Sequence, residues 1–199
     1  MMMANEGAYF FGWLAIAYLI GSVPTGLLLG KLYGIDVRQQ GSGNIGATNL
    51  YRTLGRNVGV LTLIGDCLKG AIPVLLAQQF GLSGEQVAWV GMAAFCGHVF
   101  SVFLKFRGGK GVATALGVFL ALSPLAVLIA LVLFVLVMLK WRYVSLGSVC
   151  AAAVMPLVVA FSQEWILTGV TFLISLVVIV RHRENIRRLL AGTESKFKA

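Results

Sequence analysis

GVATALGVFLALSPLAVLIALVLFVLVML, residues 111–139, carries no charged side chain, and only Ser123 and Pro124 interrupt its apolar character. A helix needs roughly 17 to 25 apolar residues to cross the hydrocarbon of a bilayer, and this run is long enough to do so. Proline removes a backbone N–H and breaks helical register, so two short helices meet at Ser123 and Pro124 or a single kinked one runs through. Further apolar stretches lie on both sides, at 9–30, 57–78, 87–104, 146–161 and 165–180. With 111–122 and 124–139 they make seven candidate spans, and none has the alternation of polar and apolar residues that marks an outer-membrane barrel.

Composition agrees. Hydrophobic residues make up 59% of the chain and charged ones 12%, and the mean hydropathy of +0.91 lies far from that of a water-soluble domain. The expected fold class is therefore all-α: a polytopic membrane bundle of seven transmembrane helices forming one domain over residues 1–199. The first basic residue is Lys31, so the first apolar stretch lacks the charged start of a secretory leader and reads as a retained span. Cys67, Cys96 and Cys150 lie inside apolar stretches without metal-ligand spacing and read as small packing residues; no metal and no cofactor is expected.

Lys and Arg number 16 against 7 Asp and Glu, a formal charge of +9. In a soluble protein that excess would suggest nucleic acid, but here its distribution argues otherwise. Lys31, Arg38, Arg52 and Arg56 flank the first connection; Lys105, Arg107 and Lys110 the third; Lys140 and Arg142 the fifth. Arg181, Arg183, Arg187, Arg188, Lys196 and Lys198 follow the last span. The connections at Gly81 to Gln86, Ser123 to Pro124 and Ser162 to Trp165 have no Lys or Arg. Basic loops stay in the cytoplasm, so the expected N-terminus is outside and the C-terminus cytoplasmic, with a lipid bilayer and not nucleic acid as the partner.

Three polar, glycine-containing clusters fall on that cytoplasmic side. The first, GSGNIGATNLYRTLGR, Gly41 to Arg56, combines open backbone N–H groups at Gly43 with the donors Ser42, Asn44, Thr48 and Asn49 and the cation Arg52. Such a set suits a phosphate. Gly41, Gly43 and Gly46 also match the dinucleotide-binding spacing, with Asp66 twenty residues on. That reading fails, because one apolar span precedes the glycines and Asp66 lies inside the next. The second cluster, FRGGKGVAT, Phe106 to Thr114, joins Arg107 and Lys110 to Gly108, Gly109 and Gly111 just before an apolar helix, a favourable place for an anion. It is not a Walker A loop, since Gly111 follows Lys110 where Ser or Thr would be needed.

The third cluster, RHRENIRRLLAGTE, Arg181 to Glu194, reads as a short amphipathic helix leaving the last span, with His182 and Asn185 on one face. A basic helix in this position also suits anionic lipid headgroups. Ser145 and Ser148 share a face at the start of the sixth span, though serine in a membrane helix commonly bonds its own backbone. Asp66 and Lys69, three apart inside the second span, would each cost roughly 2.5 to 3.5 kcal/mol near the bilayer centre. They should therefore neutralise one another or face a polar cavity, as a structural pair or as substrate contacts. His98 reads as an interhelical contact. Neither histidine begins an H-x-x-x-x-D motif, so the acyltransferase dyad of soluble enzymes is absent.

GSGNIGATN, FRGGKGVAT and HRENIRRLLAGTE, in this order between apolar spans, resemble the three motifs of the PlsY family, over essentially the whole chain. The resemblance implies a multi-pass enzyme of the bacterial inner membrane with its active site facing the cytoplasm. It would transfer an acyl group from acyl-phosphate to the 1-hydroxyl of glycerol 3-phosphate, giving lysophosphatidic acid and phosphate, with a soluble acyl-phosphate-forming enzyme of the PlsX type as a partner. It implies Lys110, Arg52, His182 and Ser148 as catalytic groups, and Ser42, Gly43, Asn44, Thr48, Asn49, Gly108, Gly109, Gly111 and Asn185 as substrate-binding ones; Lys69, outside the three motifs, is counted with the latter on its place in the second span. A small anion or phosphate transporter would also use basic clusters beside broken helices, but it would place them on both membrane faces and show an inverted repeat. A lipid-binding scaffold would need only the C-terminal basic helix.

Overall fold

A computed structural model describes residues 2–161 and 164–197; Ser162 and Lys198, both used above to assign orientation, lie outside the described residues. Ten α-helices form among the described residues: α1 (Met2–Ser22), α2 (Thr25–Leu32), α3 (Ala47–Leu54), α4 (Arg56–Gln79) and α5 (Gly84–Val99), followed by α6 (Val112–Leu122), α7 (Pro124–Trp141), α8 (Val144–Ala160), α9 (Trp165–Arg181) and α10 (Arg183–Leu190). Single 3-10 turns occupy Val37–Gln39 and Val102–Leu104. The all-helical bundle expected from composition is therefore present.

The helix boundaries follow local chemistry. The first apolar stretch is not continuous as drawn: Pro24 has no N–H to give, and the chain breaks between Ser22 and Thr25. The apolar stretch assigned from 87 begins three residues earlier as helix, because the Ser83 hydroxyl accepts the Gln86 N–H at 3.3 Å and the Gln86 side chain accepts the Ser83 N–H at 3.0 Å. This reciprocal cap satisfies two helix-end donors, and the S-x-x-Q spacing signals it in the sequence. Residues 111–139 form two helices, with Pro124 in the first turn of α7.

The described chain divides into two compact units, Met1–Leu122 and Ser123–Ala199. In the first, α1 packs along α5, and α4 packs against α3, α5 and α6. α4 buries its polar side and exposes its apolar one: Leu61, Ile64 and Leu68 are exposed whereas Thr62, Asp66 and Lys69 are buried. Lipid rather than water surrounds such a helix, so the usual sidedness is reversed. Small residues let α6 close on α4; a Cβ at Gly117 would strike the Cys67 carbonyl and one at Gly70 the Thr114 carbonyl. Gly26, Gly30 and Gly34 recur every fourth residue, a spacing that in membrane helices suits helix-on-helix packing, but here they serve the loop after α2. Gly26 lies against the Ile45 carbonyl and Gly30 against Val37, so both receive the loop that follows α2, and Gly34 (φ +71°) turns the chain into it.

In the second unit α7 packs on α8 and α8 on α9, and α10 touches both α8 and α9. α9 and α10 meet at a 55° bend at His182. Four stretches, Gly7–Leu32, Arg56–Gln79, Gly84–Leu104 and Pro124–Trp141, are long and apolar enough to cross a membrane, with a fifth if α9 and α10 count as one bent span. Each of the seven apolar stretches contributes helix, but α6, with 11 residues, is about 16 Å long, roughly half the hydrocarbon thickness.

Candidate active site

In the first unit, the loop from Asp36 to Gly46 is organised by one side chain. Asn49, in the first turn of α3 and 2% exposed, donates through Nδ2 to the carbonyls of Val37 (3.1 Å), Gln40 (3.1 Å) and Asn44 (2.8 Å). Its Oδ1 accepts the Ser42 N–H at 2.9 Å. Two amide hydrogens serve three carbonyls, so one hydrogen is shared. The Asn44 side chain accepts the Gly46 N–H at 2.8 Å, a local turn that starts α3. Gly41 (φ +55°) presses on Asn49 Oδ1, where a side chain would strike it. The loop's entry is pinned by Asp36, which accepts both the backbone and the guanidinium of Arg38. The Arg38 hydrogen bonds hold this half-buried carboxyl at about 2.

Both polar atoms of Asn49 are thus engaged in building the loop. Ser42 is exposed, Gly43 (φ +69°), Asn44 and Thr48 are half-buried, and Arg52 is exposed in the last turn of α3. One face of this loop is apolar: Leu27, Val37, Ile45, Leu50, Val58 and Leu104 form a buried cluster. Leu104 ends the turn that leads into Lys105–Lys110, so the first and second sequence clusters are mounted on the same apolar knot.

The second cluster is held from α5. Gly108 N–H donates to the Val99 carbonyl at 3.1 Å and Gly109 N–H to the His98 carbonyl at 3.2 Å. A Cβ at Gly108 would collide with the His98 carbonyl, one at Gly109 with His98 Nε2, and one at Gly111 (φ +85°) with the Phe95 ring. Glycine is required at all three by close approach of the backbone. Lys110, half-buried, sits between Gly109 and the start of α6.

Beneath this loop Asp66, Lys69 and His98 are 2%, 6% and 3% exposed. Asp66 lies about 15 Å along α4 from Arg56. Lys69 Nζ is 2.8 Å from Asp66 Oδ1 but directs its hydrogen bond to the Val23 carbonyl at 2.7 Å, one of the acceptors released by the break at Pro24. Asp66 Oδ1 also stands 3.7 Å from His98 Nδ1. Asp66 and Lys69 pair with one another, one of the two arrangements expected of them, and His98 makes the interhelical contact expected of it.

The second unit gathers its polar groups around Glu194. Ser145 Oγ and Asn185 Nδ2 donate to Oε1, each at 2.7 Å, and Arg188 Nε donates to Oε2 at 2.7 Å. Burial alone would raise this carboxyl, but the hydrogen bonds of Asn185, Ser145 and Arg188 outweigh it and hold Glu194 below its ordinary value. The tail is further tied by the Phe197 N–H to the Arg142 carbonyl at 2.7 Å. Ser148 Oγ donates to the Val144 carbonyl of its own helix at 2.9 Å, the backbone bond anticipated for a membrane serine. His182, buried at the bend, has Nδ1 2.7 Å from the Val178 carbonyl. A carbonyl can only accept, so Nδ1 carries a proton and donates it to Val178.

Sequence reasoning missed the part played by Glu194. Its own signal was weak, one of two acids among basic residues, and its partners are drawn from α8 and α10. His98 was read as a contact within the bundle, without its bearing on Gly109.

A family model described as glycerol-3-phosphate acyltransferase matches residues 11–192. A glycerol-3-phosphate acyltransferase of Trichlorobacter lovleyi is 69% identical over 94% of this chain and 97% of its own length. One from Geobacter sulfurreducens is 61% identical over 93% and 96%. Among solved structures, PlsY (YgiH), an integral membrane glycerol 3-phosphate acyltransferase in its glycerol 3-phosphate form, superposes with a TM-score of 0.90 at 42% identity, covering 96% of both chains. Its lysophosphatidic acid form gives 0.88 at 41% identity, also covering 96% of both chains.

Proposed function

The chain belongs to the glycerol-3-phosphate acyltransferase family, and from that membership we propose that it moves a fatty acyl group from acyl-phosphate to the 1-hydroxyl of glycerol 3-phosphate, releasing lysophosphatidic acid and inorganic phosphate. The observation that carries this reading is the shared apolar knot in the first unit. Leu104 joins Val37, Ile45 and Leu50, so the loop before Arg52 and the loop before Lys110 are built as one piece. Two glycine-backed cations on one support suit a reaction in which both reactants bear a phosphate.

The chemistry asks little of a protein base. Acyl-phosphate is a mixed anhydride with a good leaving group. The hydroxyl oxygen attacks the acyl carbon, the bond from that carbon to the phosphate oxygen breaks, and its electron pair leaves on phosphate. The enzyme gains most from aligning the reactants and from placing cations and N–H donors where negative charge grows. Lys110 and Arg52, with the Gly43, Gly108, Gly109 and Gly111 backbones, take that role, and Ser42, Thr48 and Lys69 are assigned to substrate binding beside them. Asn44 and Asn49 serve it by shaping the loop.

In the second unit, His182 is assigned to orienting the hydroxyl or accepting its proton, and a substrate phosphate is the other acceptor. Ser148 and Asn185 support that end of the reaction. Appreciable turnover in His182→Ala together with full loss in Lys110→Ala assigns the proton to substrate; loss in both assigns it to His182. The basic connections argue for an active site toward the cytoplasm of a bacterial inner membrane. There a soluble enzyme of the PlsX type would supply the acyl-phosphate.

The test is donor-resolved turnover. Purified protein in nanodiscs, given acyl-phosphate and labelled glycerol 3-phosphate, forms lysophosphatidic acid and phosphate one for one, and forms none from acyl-CoA. Product from acyl-CoA alone, or none from acyl-phosphate, contradicts the proposal.

A further inference from the structure

Of three buried ionisable groups, acyl transfer gives Lys69 only a place in substrate binding and gives Asp66 and His98 no role. Their cost in a membrane helix is large enough to need a return, and bundle stability alone does not explain where the third of them points. His98 is in the last turn of α5 before the chain leaves for the second cluster. One edge of its ring, Nδ1, faces Asp66 at 3.7 Å. The other edge, Nε2, lies so close to Gly109 that a Cβ there would strike it, and the His98 carbonyl accepts the Gly109 N–H at 3.2 Å. The residue after Gly109 is Lys110.

We propose that His98 is a positioning residue: with Asp66 beside one edge of its ring, it sets the height and tilt of the Gly108–Lys110 backbone, and so the place where Lys110 meets a substrate phosphate. Lys69 completes the device from below. Its ammonium balances Asp66 at 2.8 Å and hydrogen bonds the Val23 carbonyl, fastening the broken first span to the same charged cluster. Two neighbouring contacts grip the same region: Ser101 Oγ donates to the Ser22 carbonyl at 2.6 Å and the Tyr18 hydroxyl to the Phe100 carbonyl at 2.6 Å. The break at Pro24, the end of α5 and the glycine loop are thereby referenced to one another. A loop built of glycines has little stiffness of its own, so its geometry must be imposed by whatever it rests on.

The inference rests on the proposed acyl transfer from acyl-phosphate only for which phosphate Lys110 holds. The test therefore has an arm without turnover. In hydrogen exchange on the reconstituted protein, His98→Leu and Asp66→Asn speed exchange of the Gly108 and Gly109 amides about tenfold while residues 47–54 stay unchanged. Unchanged exchange at the glycines overturns the proposal whether or not the protein turns over. In kinetics, His98→Leu raises KM about tenfold for the phosphate substrate that Lys110 holds, with kcat within about threefold. Measuring KM for both reactants identifies which one. Simple loss of folded protein lowers kcat and leaves both KM values alone, and that result overturns the proposal.

Should His98→Leu fail to fold, Gly109→Ala applies the same displacement from the other side of the contact and is expected to raise the same KM. Replacing His98 by Ala in that background empties the space the new methyl needs. The double variant then has a KM no higher than the worse single variant, whereas additive effects, about a hundredfold together, rule out direct contact. A wild type that makes no lysophosphatidic acid defeats the acyl-transfer reading, and the exchange arm still decides the fate of His98.

Discussion

The two units solve one problem, holding a polar loop in shape, with opposite chemistry. In the first, a neutral amide, Asn49, reaches into backbone carbonyls of residues 37, 40 and 44 and takes the Ser42 N–H. In the second, a charged carboxylate, Glu194, collects side chains from α8 and α10. An amide that satisfies main-chain groups cannot be exchanged for water without leaving several buried partners bare, so its network should be rigid and costly to damage. A carboxylate near the helix-bundle edge, with Arg188 partly exposed beside it, is gathered by charge and should yield to pH.

The sharpest way to break the contrast is Asn49→Asp, which keeps shape but turns three donated hydrogen bonds into a carboxylate facing carbonyls. It should cost about 3 kcal/mol or more, read as a fall in Tm of about 10 °C and loss of turnover. Glu194→Gln comes next, with a fall of about 4 °C at pH 7. Its pH dependence carries the sign. Glu194 is held below its ordinary value in the folded protein, so its stabilisation is present above the unfolded value near ~4.3 and is lost as pH falls through the lower folded one. The gap in Tm between wild type and Glu194→Gln should therefore close on acidification. A gap that widens reverses the assignment.

Ser145→Ala removes one of three donors to Glu194 and should cost about 1 kcal/mol, or roughly 3 °C in a thermal-shift measurement. The smallest effect belongs to Asp36→Asn. That carboxyl is held at about 2 by Arg38, but the pair is open to solvent screening, with Arg38 exposed, so Tm should move by less than about 1 °C and remain flat between pH 5 and pH 8. If Asp36→Asn proved as damaging as Asn49→Asp, the loop would be hung from its entry and not from its centre.

The same contrast explains what could be read in advance. Helices longer than a few turns were legible because apolar length and the placement of Lys and Arg are properties of contiguous sequence; α4 begins at Arg56 and ends at Gln79, one residue outside the stretch drawn at each end. The Gly41 to Arg56 cluster was legible for the same reason, since Asn49 satisfies groups within twelve residues. The break at Pro24 was also written in the sequence and was overridden by the apolar residues around it. Glu194 and the pairing of His98 with Asp66 depend on segments that meet only in three dimensions, and no local spacing marks them. The glycines of the second cluster were recognised as a cradle, but the need for each came from what lies beneath it, the His98 carbonyl and ring and the Phe95 ring.

Everything rests on Lys110 as the cation that a glycine backbone presents to phosphate. The direct test compares wild type with Lys110→Ala in nanodiscs, matched for folded protein, under saturating acyl-phosphate with labelled glycerol 3-phosphate. Turnover should fall by about a thousandfold at unchanged Tm; turnover within about threefold of wild type would contradict the account.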